Sequence, residues 1–551
     1  CGQVPQLGKA VLLRGRLSGR ATLHYLDYSR PRNRVLTQVL REQAKHNGTT
    51  LFLRCDGEAY NYSATLDRVR RLAAGLGQLG VGWGDNVCLF MASCADYVFL
   101  TLACNFLGAR WIPVNTDYRG TWLRDTILES EPKLLVSDLQ HQPYLEAASL
   151  PKLQPLLRDD HSPPNIESLL SNAAKGVEPA EVDYGETSAI LWTSGTTGRA
   201  KGVMQSHNNW IRAALSAAEL GDVGAGDVLY NCLPLYNSAA WVANIYPALI
   251  SGTTVAMDPG FSAGAFWERT RFYGATHVFT LGAMHMFLWN APELPTDADN
   301  PVRSANMVPM PDAIHRPFRE RFGIDAIHQG FGQSEVMLLL RRKDDGQTAY
   351  PPGALGEPAP DLEVALLDDG DQPVPPGETG EICVRPLAPH VLFNGYYNEP
   401  EETEAAFRSG WYHTGDLGRQ DDQGHYFFVD RKKDVIRYKG RNVSSVAVEN
   451  VARQHPDLAE VAVFGVPSDE LEAEHEIMLA AVRKPGAKVA EEDLARFINQ
   501  NAPYFFVPRY IEWLEALPMT PTQKVRKVEL RGRGVGSQTW DARAAGFKPV
   551  R

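Results

Sequence analysis

The chain has 551 residues, a formal net charge of −11 and ordinary globular proportions of apolar and charged side chains, enough for more than one domain and a large core. The acidic balance, with no long basic run, argues against a nucleic-acid surface. Seven scattered cysteines (Cys1, Cys55, Cys88, Cys94, Cys104, Cys232 and Cys383) form no Cys-x-x-Cys pair and the histidines no His-Glu-x-x-His, so reduced thiols in a cytoplasmic protein are expected rather than disulfides or zinc.

The first clear element is an amphipathic helix over 63–79, with Leu66, Val69, Leu72, Ala73 and Leu76 on one face, Ser63 as its cap and Gly80 at its end. A strand over 87–91, an apolar helix over 97–107 and a strand over 111–114 follow. Asp96 and Arg110 interrupt this most apolar region, so it reads as buried helix and strand rather than a membrane span. The alternation returns over 229–233, 239–250, 253–257 and 277–280, the pattern of a parallel sheet covered on both faces.

Beyond about residue 350, Pro351, Pro352, Gly353, Pro358 and Pro360 break helices, and short β runs over 363–367 and 380–384 are separated by turns at 368–370 and 375–377. The charged stretch Asp430-Arg-Lys-Lys-Asp434 precedes strands over 461–466 and 477–482 and a helix bearing Leu494, Phe497 and Ile498. The expected class is α/β. A large N-terminal domain of parallel and mixed sheets flanked by helices spans 1–431, with a β subdomain over 351–431. A small mobile α+β domain spans 432–551, with a boundary near 431–433 and a loosely held tail after Arg531.

The richest chemistry lies in Thr193-Ser-Gly-Thr-Thr-Gly-Arg-Ala-Lys-Gly202, directly after the apolar run 189–192. Gly195, Gly198 and Gly202 let backbone N–H groups approach an anion; Ser194, Thr196 and Thr197 add donors; Lys201 adds a positive charge. A generic cluster of this composition is a solvated loop. The kinase-type P-loop, Gly-x-x-x-x-Gly-Lys-Ser/Thr, fits Gly195 and Lys201 but fails at Ala200 and Gly202.

Four further motifs stand in order behind this loop: Gly330-Phe-Gly-Gln-Ser-Glu335, Tyr412-His-Thr-Gly-Asp416, Asp430-Arg-Lys-Lys-Asp-Val-Ile436 and Pro521-Thr-Gln-Lys-Val525. Together, over nearly the whole chain, the five resemble the signatures of the acyl-adenylate-forming superfamily, which includes acyl-CoA synthetases, luciferases and nonribosomal adenylation domains. Departures are Ala200 for a usual proline, Ser334 for threonine and Gln523 for glycine. The resemblance implies ATP and Mg²⁺ as cofactors. Thr193, Ser194, Gly195, Thr196, Thr197, Gly198 and Lys201 are then the phosphate grip. Gly330, Phe331, Gly332 and Ser334 meet adenine and the α-phosphate, Glu335 is the metal ligand, and Asp416 and Arg431 meet ribose or phosphate.

By the same resemblance Lys524 is the adenylation lysine, placed between carboxylate and phosphate to offset charge repulsion. Lys433 is the hinge about which the small domain turns, and Arg437, Gly440 and Arg441 meet coenzyme A. Taken singly, each of these residues has an ordinary alternative as surface charge, turn or core.

Leu233-Pro-Leu-Tyr-Asn237 occupies the family's aromatic gate, with Asn237 where many relatives carry histidine. Tyr236, Asn237, Trp241, Phe279, Leu281 and Met307 are the expected acyl pocket, although core is their default. Residues 304–309 lack the usual Gly-Gly-Ala-rich loop. The expected enzyme is an AMP-forming acid–CoA ligase for a hydrophobic (fatty, aromatic or polycyclic) acid. Transfer to a carrier protein or an amine is the alternative within the enzyme class, and an inactive nucleotide-binding sensor or scaffold the alternative outside it. A homodimer is left open.

Overall fold

The computed structural model describes residues 26–150, 153–173, 176–193, 200–344, 350–438, 441–469, 475–520 and 524–549. It is a mixed α/β protein of two compact units, one comprising residues 1–364 and 384–410, the other 365–383 and 411–551. This division does not coincide with 431–433: the short β runs around 411–431 group with the C-terminal residues.

The first unit contains two sheets. One has six strands in the order Leu156–Leu157, Leu134–Ser137, Asn86–Phe90, Arg110–Pro113, Thr187–Thr193 and Lys201–Ser206. They run parallel except the last, which pairs antiparallel with Thr187–Thr193. In the other sheet the strands Ala326–Phe331, Ser304–Val308, His277–Leu281, Val228–Asn231, Thr254–Met257 and Leu51–Cys55 run parallel in that order. Segment 304–308 is thus a strand and not a loop. Ala305 and Met307 are buried on it, and its neighbours hydrogen-bond it on both sides.

Helix Ala95–Phe106 is buried at every residue but Asp96, as a helix apolar on all faces must be. Asp96 lies in the first helical turn and pairs with Arg68 at 2.9 Å and Arg158 at 3.2 Å, so the charge sits where the helix dipole favours it. The earlier helix spans Tyr62–Gln78, and its cap is Asn61, whose side chain accepts from Ala64 N at 2.8 Å. Ser63, the expected cap, lies inside the first turn. Trp111, Trp210 and Trp241 are wholly buried and share a core, with ring centroids 5.9 Å (111–210) and 4.7 Å (111–241) apart. No helix among the described residues is long and apolar enough to cross a membrane.

In the second unit, Leu458–Pro467, His475–Arg483, Tyr510–Trp513 and Trp540–Asp541 form a four-stranded sheet. Alternation along the first strand divides its side chains between two cores: Val461 and Val463 pack with Leu494 and Ile498 of helix Glu491–Asn501, Ala462 and Phe464 with Leu530 of helix Lys527–Arg533. The tail after Arg531 is not loose through 549. Trp540–Asp541 pairs with Tyr510 and Ile511, Arg509 pairs with Asp541 at 3.3 Å, and Trp540 and Phe547 join the core. Composition alone hid these anchors among glycines and arginines.

Candidate active site

In the first unit, Thr193 and Lys201, at the two ends of the expected phosphate grip, stand opposite one another in the antiparallel ladder. Ser194, Gly195, Thr196, Thr197 and Gly198 lie outside the described residues. The Lys201 ammonium pairs with Glu402 at 2.5 Å and lies 4.8 Å from the centroid of the Tyr396 ring.

The strand Ala326–Phe331 delivers Gly330 and the half-buried Phe331, and the chain then turns tightly through Gly332 to Glu335. A Cβ on Gly332 would come within 1.6 Å of the Met337 carbonyl oxygen, so no larger residue fits this turn. Three side chains hold the turn from outside. Gln205 donates its amide to the Ser334 carbonyl. Arg212, whose side chain has no exposed surface, donates to the carbonyls of Val336 (2.9 Å) and Leu338 (3.0 Å) and forks onto Asp361 at 2.8 and 2.9 Å, a bidentate geometry that only arginine offers a carboxylate. Tyr396 donates its hydroxyl to Glu335 Oε1 at 3.0 Å, while Phe393 N donates to the Glu335 carbonyl at 2.9 Å. Gln329, just ahead of Gly330, accepts from Met310 N, and its buried amide nitrogen has no partner among the described residues. An acceptor on a ligand would satisfy it.

The expected acyl residues lie on several elements of the first unit. Tyr236 donates to Asp117 at 3.3 Å, and burial followed by that carboxylate pushes its phenol well above the ordinary value. Asn237 caps helix Ser238–Ala240 by accepting from Ala239 N at 3.0 Å. Its side chain is committed to local backbone, as asparagine favours at helix starts. Phe279 and Leu281 lie on one strand, Phe279 buried and Leu281 half-buried. Trp241 and Met307 have no exposed surface, and the Trp241 indole donates to the Leu235 carbonyl at 2.8 Å. Sequence periodicity cannot separate core from pocket, because both demand the same apolar side chains.

In the second unit, Trp411–Gln420 pairs antiparallel with Tyr426–Arg431, which sets Asp416 directly opposite Arg431. Arg431 Nε lies 3.6 Å from Asp416 Oδ1, and Asp416 is buried. Lys524 is tied to Thr520: its N–H donates to Thr520 Oγ1 at 2.9 Å and its carbonyl accepts from Thr520 N at 2.6 Å. The residue as a whole is exposed, yet its ammonium is held below the usual lysine value, first by desolvation and then by the charge of Arg431, against an opposing pull from Asp416.

Lys433 is exposed in the turn after Arg431, where Asp434 N donates to the Arg431 carbonyl at 2.8 Å. Arg437 and Arg441 fall on a β-hairpin in which Arg437 faces Asn442 and Tyr438 faces Arg441; Gly440 lies outside the described residues.

Beside the Asp416 loop lies a buried cluster that sequence reasoning missed. Glu381 accepts from Gly415 N (2.9 Å) and Lys432 Nζ (3.1 Å) and lies 3.1 Å from His413 Nδ1, which is 3.3 Å from Cys383 Sγ. Burial raises the Glu381 carboxyl, but His413, Lys432 and the Gly415 N–H outweigh it and the net direction is down. Glu381, Cys383 and His413 are close enough together to suggest a metal site, but the Lys432 ammonium already supplies the cation. The Glu and His could have been found by their place in the short β runs; their convergence could not.

These placements coincide with a family match. Residues 40–397 match the AMP-binding enzyme family, and 447–524 match its C-terminal domain. The chain belongs to the AMP-binding enzyme family. Among curated relatives, this AMP-binding enzyme is 30% identical to a probable CoA ligase of Humulus lupulus, over 90% of this chain and 95% of that one. It is 29% identical to the crotonobetaine/carnitine–CoA ligase of Proteus mirabilis, over 86% and 93%. Among solved structures, ATP-bound MatB from Rhodopseudomonas palustris superposes with a TM-score of 0.82 at 25% identity, covering 91% of this chain and 98% of that one. The AMP-binding enzyme is accordingly an acyl-adenylate-forming protein of the acyl-CoA ligase type, an AMP-forming acid–thiol ligase that uses ATP, Mg²⁺ and coenzyme A.

Proposed function

We propose that this ligase activates a hydrophobic carboxylic acid and transfers it to coenzyme A, with Lys524 as the residue of the first half-reaction. In that step a carboxylate oxygen attacks the α-phosphorus of ATP in line, and pyrophosphate leaves. In the second, a thiol attacks the acyl carbonyl, and AMP leaves. Support for the assignment of Lys524 comes above all from the strand pairing that sets Asp416 against Arg431 in the same unit, whose charges act on the Lys524 ammonium. Such a donor offsets the repulsion between two anions.

The remaining roles follow the same logic. Asp416 accepts from the ribose hydroxyls, as an ionised carboxylate can, and Arg431 reaches ribose or phosphate. Phe331 stacks on adenine, with the buried Gln329 amide on the same strand. Ser334 offers a hydroxyl to the α-phosphate, and Thr193 with Lys201 meets the pyrophosphate side. Glu335 is the ligand for Mg²⁺, a hard cation suited to carboxylate oxygen that offsets phosphate charge when bound. The turn at Lys433 is the hinge between the two half-reactions, after which Arg437 and Arg441 of the hairpin, together with Gly440, serve coenzyme A.

Phe279 and Leu281 support a hydrophobic acid. A second reading rests on Asp117 beside Tyr236: an aromatic ring and a carboxylate together suit a cationic acid, and the relative from Proteus mirabilis carries the name of such acids. Acid-dependent ATP–pyrophosphate exchange tests both. We expect exchange with one of the fatty, aromatic or polycyclic acids and an acyl-CoA product by mass. Exchange confined to betaines or amino acids favours the second reading, and silence across the panel sinks the ligase assignment.

A further inference from the structure

We propose that Tyr396 is a positioning residue that couples the phosphate-side lysine to the metal-side glutamate, an inference that rests on the roles given above to Lys201 and Glu335. The same side chain touches both: its hydroxyl donates to Glu335 Oε1 at 3.0 Å, and its ring centroid lies 4.8 Å from the Lys201 ammonium. A hydrogen bond to a metal-binding carboxylate orients that carboxylate, and an aromatic face attracts an ammonium through its quadrupole. Each contact alone is common. Both on one buried ring, between two motifs more than a hundred residues apart, constitute a link.

The ring is held firmly enough for this task. Tyr396 is only 8% exposed. Its N–H donates to Thr403 Oγ1 at 2.8 Å, and its neighbours bind the same two motifs: Phe393 N reaches the Glu335 carbonyl at 2.9 Å, and Tyr397 N reaches the Gly202 carbonyl at 2.7 Å. Gly395 just before it has φ +107°, a conformation that other residues avoid. Glu402, on the helix Pro400–Ala406 that follows, pairs with Lys201 at 2.5 Å. One segment, 393–403, therefore holds both charged groups through side chains. Tyr396 sets the distance and orientation between them before a nucleotide arrives, so that pyrophosphate and metal are met together.

The test is equilibrium binding of ATP by calorimetry across a Mg²⁺ titration, with Tyr396→Phe, Tyr396→Leu, Glu335→Gln and the Tyr396→Phe/Glu335→Gln pair. Tyr396→Phe keeps the ring and loses the hydroxyl. It is expected to raise the Mg²⁺ concentration for half-maximal binding about 10–100-fold while leaving ATP affinity at saturating Mg²⁺ near that of the parent. Tyr396→Leu loses the ring too and weakens ATP binding at saturating Mg²⁺ by a further two- to fivefold or so, about the worth of an exposed cation–π contact. In the Glu335→Gln background the Phe change is expected to add little.

Unchanged Mg²⁺ dependence in Tyr396→Phe, or full additivity with Glu335→Gln, overturns the coupling. So does a Tyr396→Phe chain that no longer melts cooperatively, because the hydroxyl then serves the fold and not the site. A parent enzyme whose ATP binding ignores Mg²⁺ removes the reading of Glu335 and this inference with it, a result distinct from a silent variant.

Discussion

In the first unit the candidate groups are held by side chains arriving from elsewhere in the chain: Tyr396 on Glu335, Glu402 on Lys201, Arg212 and Gln205 on the turn that carries Glu335. In the second unit the backbone ladder does most of that work, setting Asp416 opposite Arg431 by register, with Glu381 bound to the Gly415 N–H beside it. A ladder fixes the spacing of two residues through many hydrogen bonds at once. Side-chain props act one contact at a time, so a single substitution removes one whole constraint.

The largest expected effect sharpens this contrast from the second unit. Lys524→Ala removes the group proposed to stand between carboxylate and phosphate, and adenylation by pyrophosphate exchange is expected to fall about 10²–10³-fold. Thioester formation from supplied acyl-adenylate is expected to survive. Equal loss of both steps breaks the division of labour between half-reactions.

Next is Arg212→Ala in the first unit. It leaves Asp361 at the edge of the core without its fork and two carbonyls without donors, a loss of about 3–5 kcal/mol for breaking a buried pair. Urea midpoints measure it, and a change under 1 kcal/mol or so would show that the props are dispensable.

The smallest is Glu381→Gln. It leaves the Asp416–Arg431 register intact and costs about 1–3 kcal/mol at neutral pH. The Glu381 carboxyl is depressed in the folded state, so its stabilisation is present above the unfolded value of about 4.5 and fades as pH falls through the folded one. The stability gap between parent and variant is therefore expected to close as urea midpoints are followed from pH 5 downward. A gap independent of pH contradicts the charge network.

Much of the site was legible because its motifs need special residues locally: Gly332 admits no Cβ, and Asp416 and Arg431 meet by simple strand pairing. The acyl region was not. Trp241 and Met307 have no exposed surface and Asn237 spends its side chain on a helix start, placements that no local pattern carries. Nor was the anchoring of the tail legible, since Arg509 and Asp541 recognise each other only after the sheet forms.

By itself the sequence determined the reaction class, the α/β alternation and the residue types able to meet phosphate, metal and ribose, because each depends on backbone freedom or charge within a few consecutive positions. Only the tertiary structure decided which distant residues hold them: Tyr396 for Glu335 and Lys201, Arg212 for the turn, Glu381 for the Asp416 loop. Those partners are ordinary residue types at unremarkable spacings, and their contacts exist only where the folded chain brings buried polar groups close enough to satisfy one another.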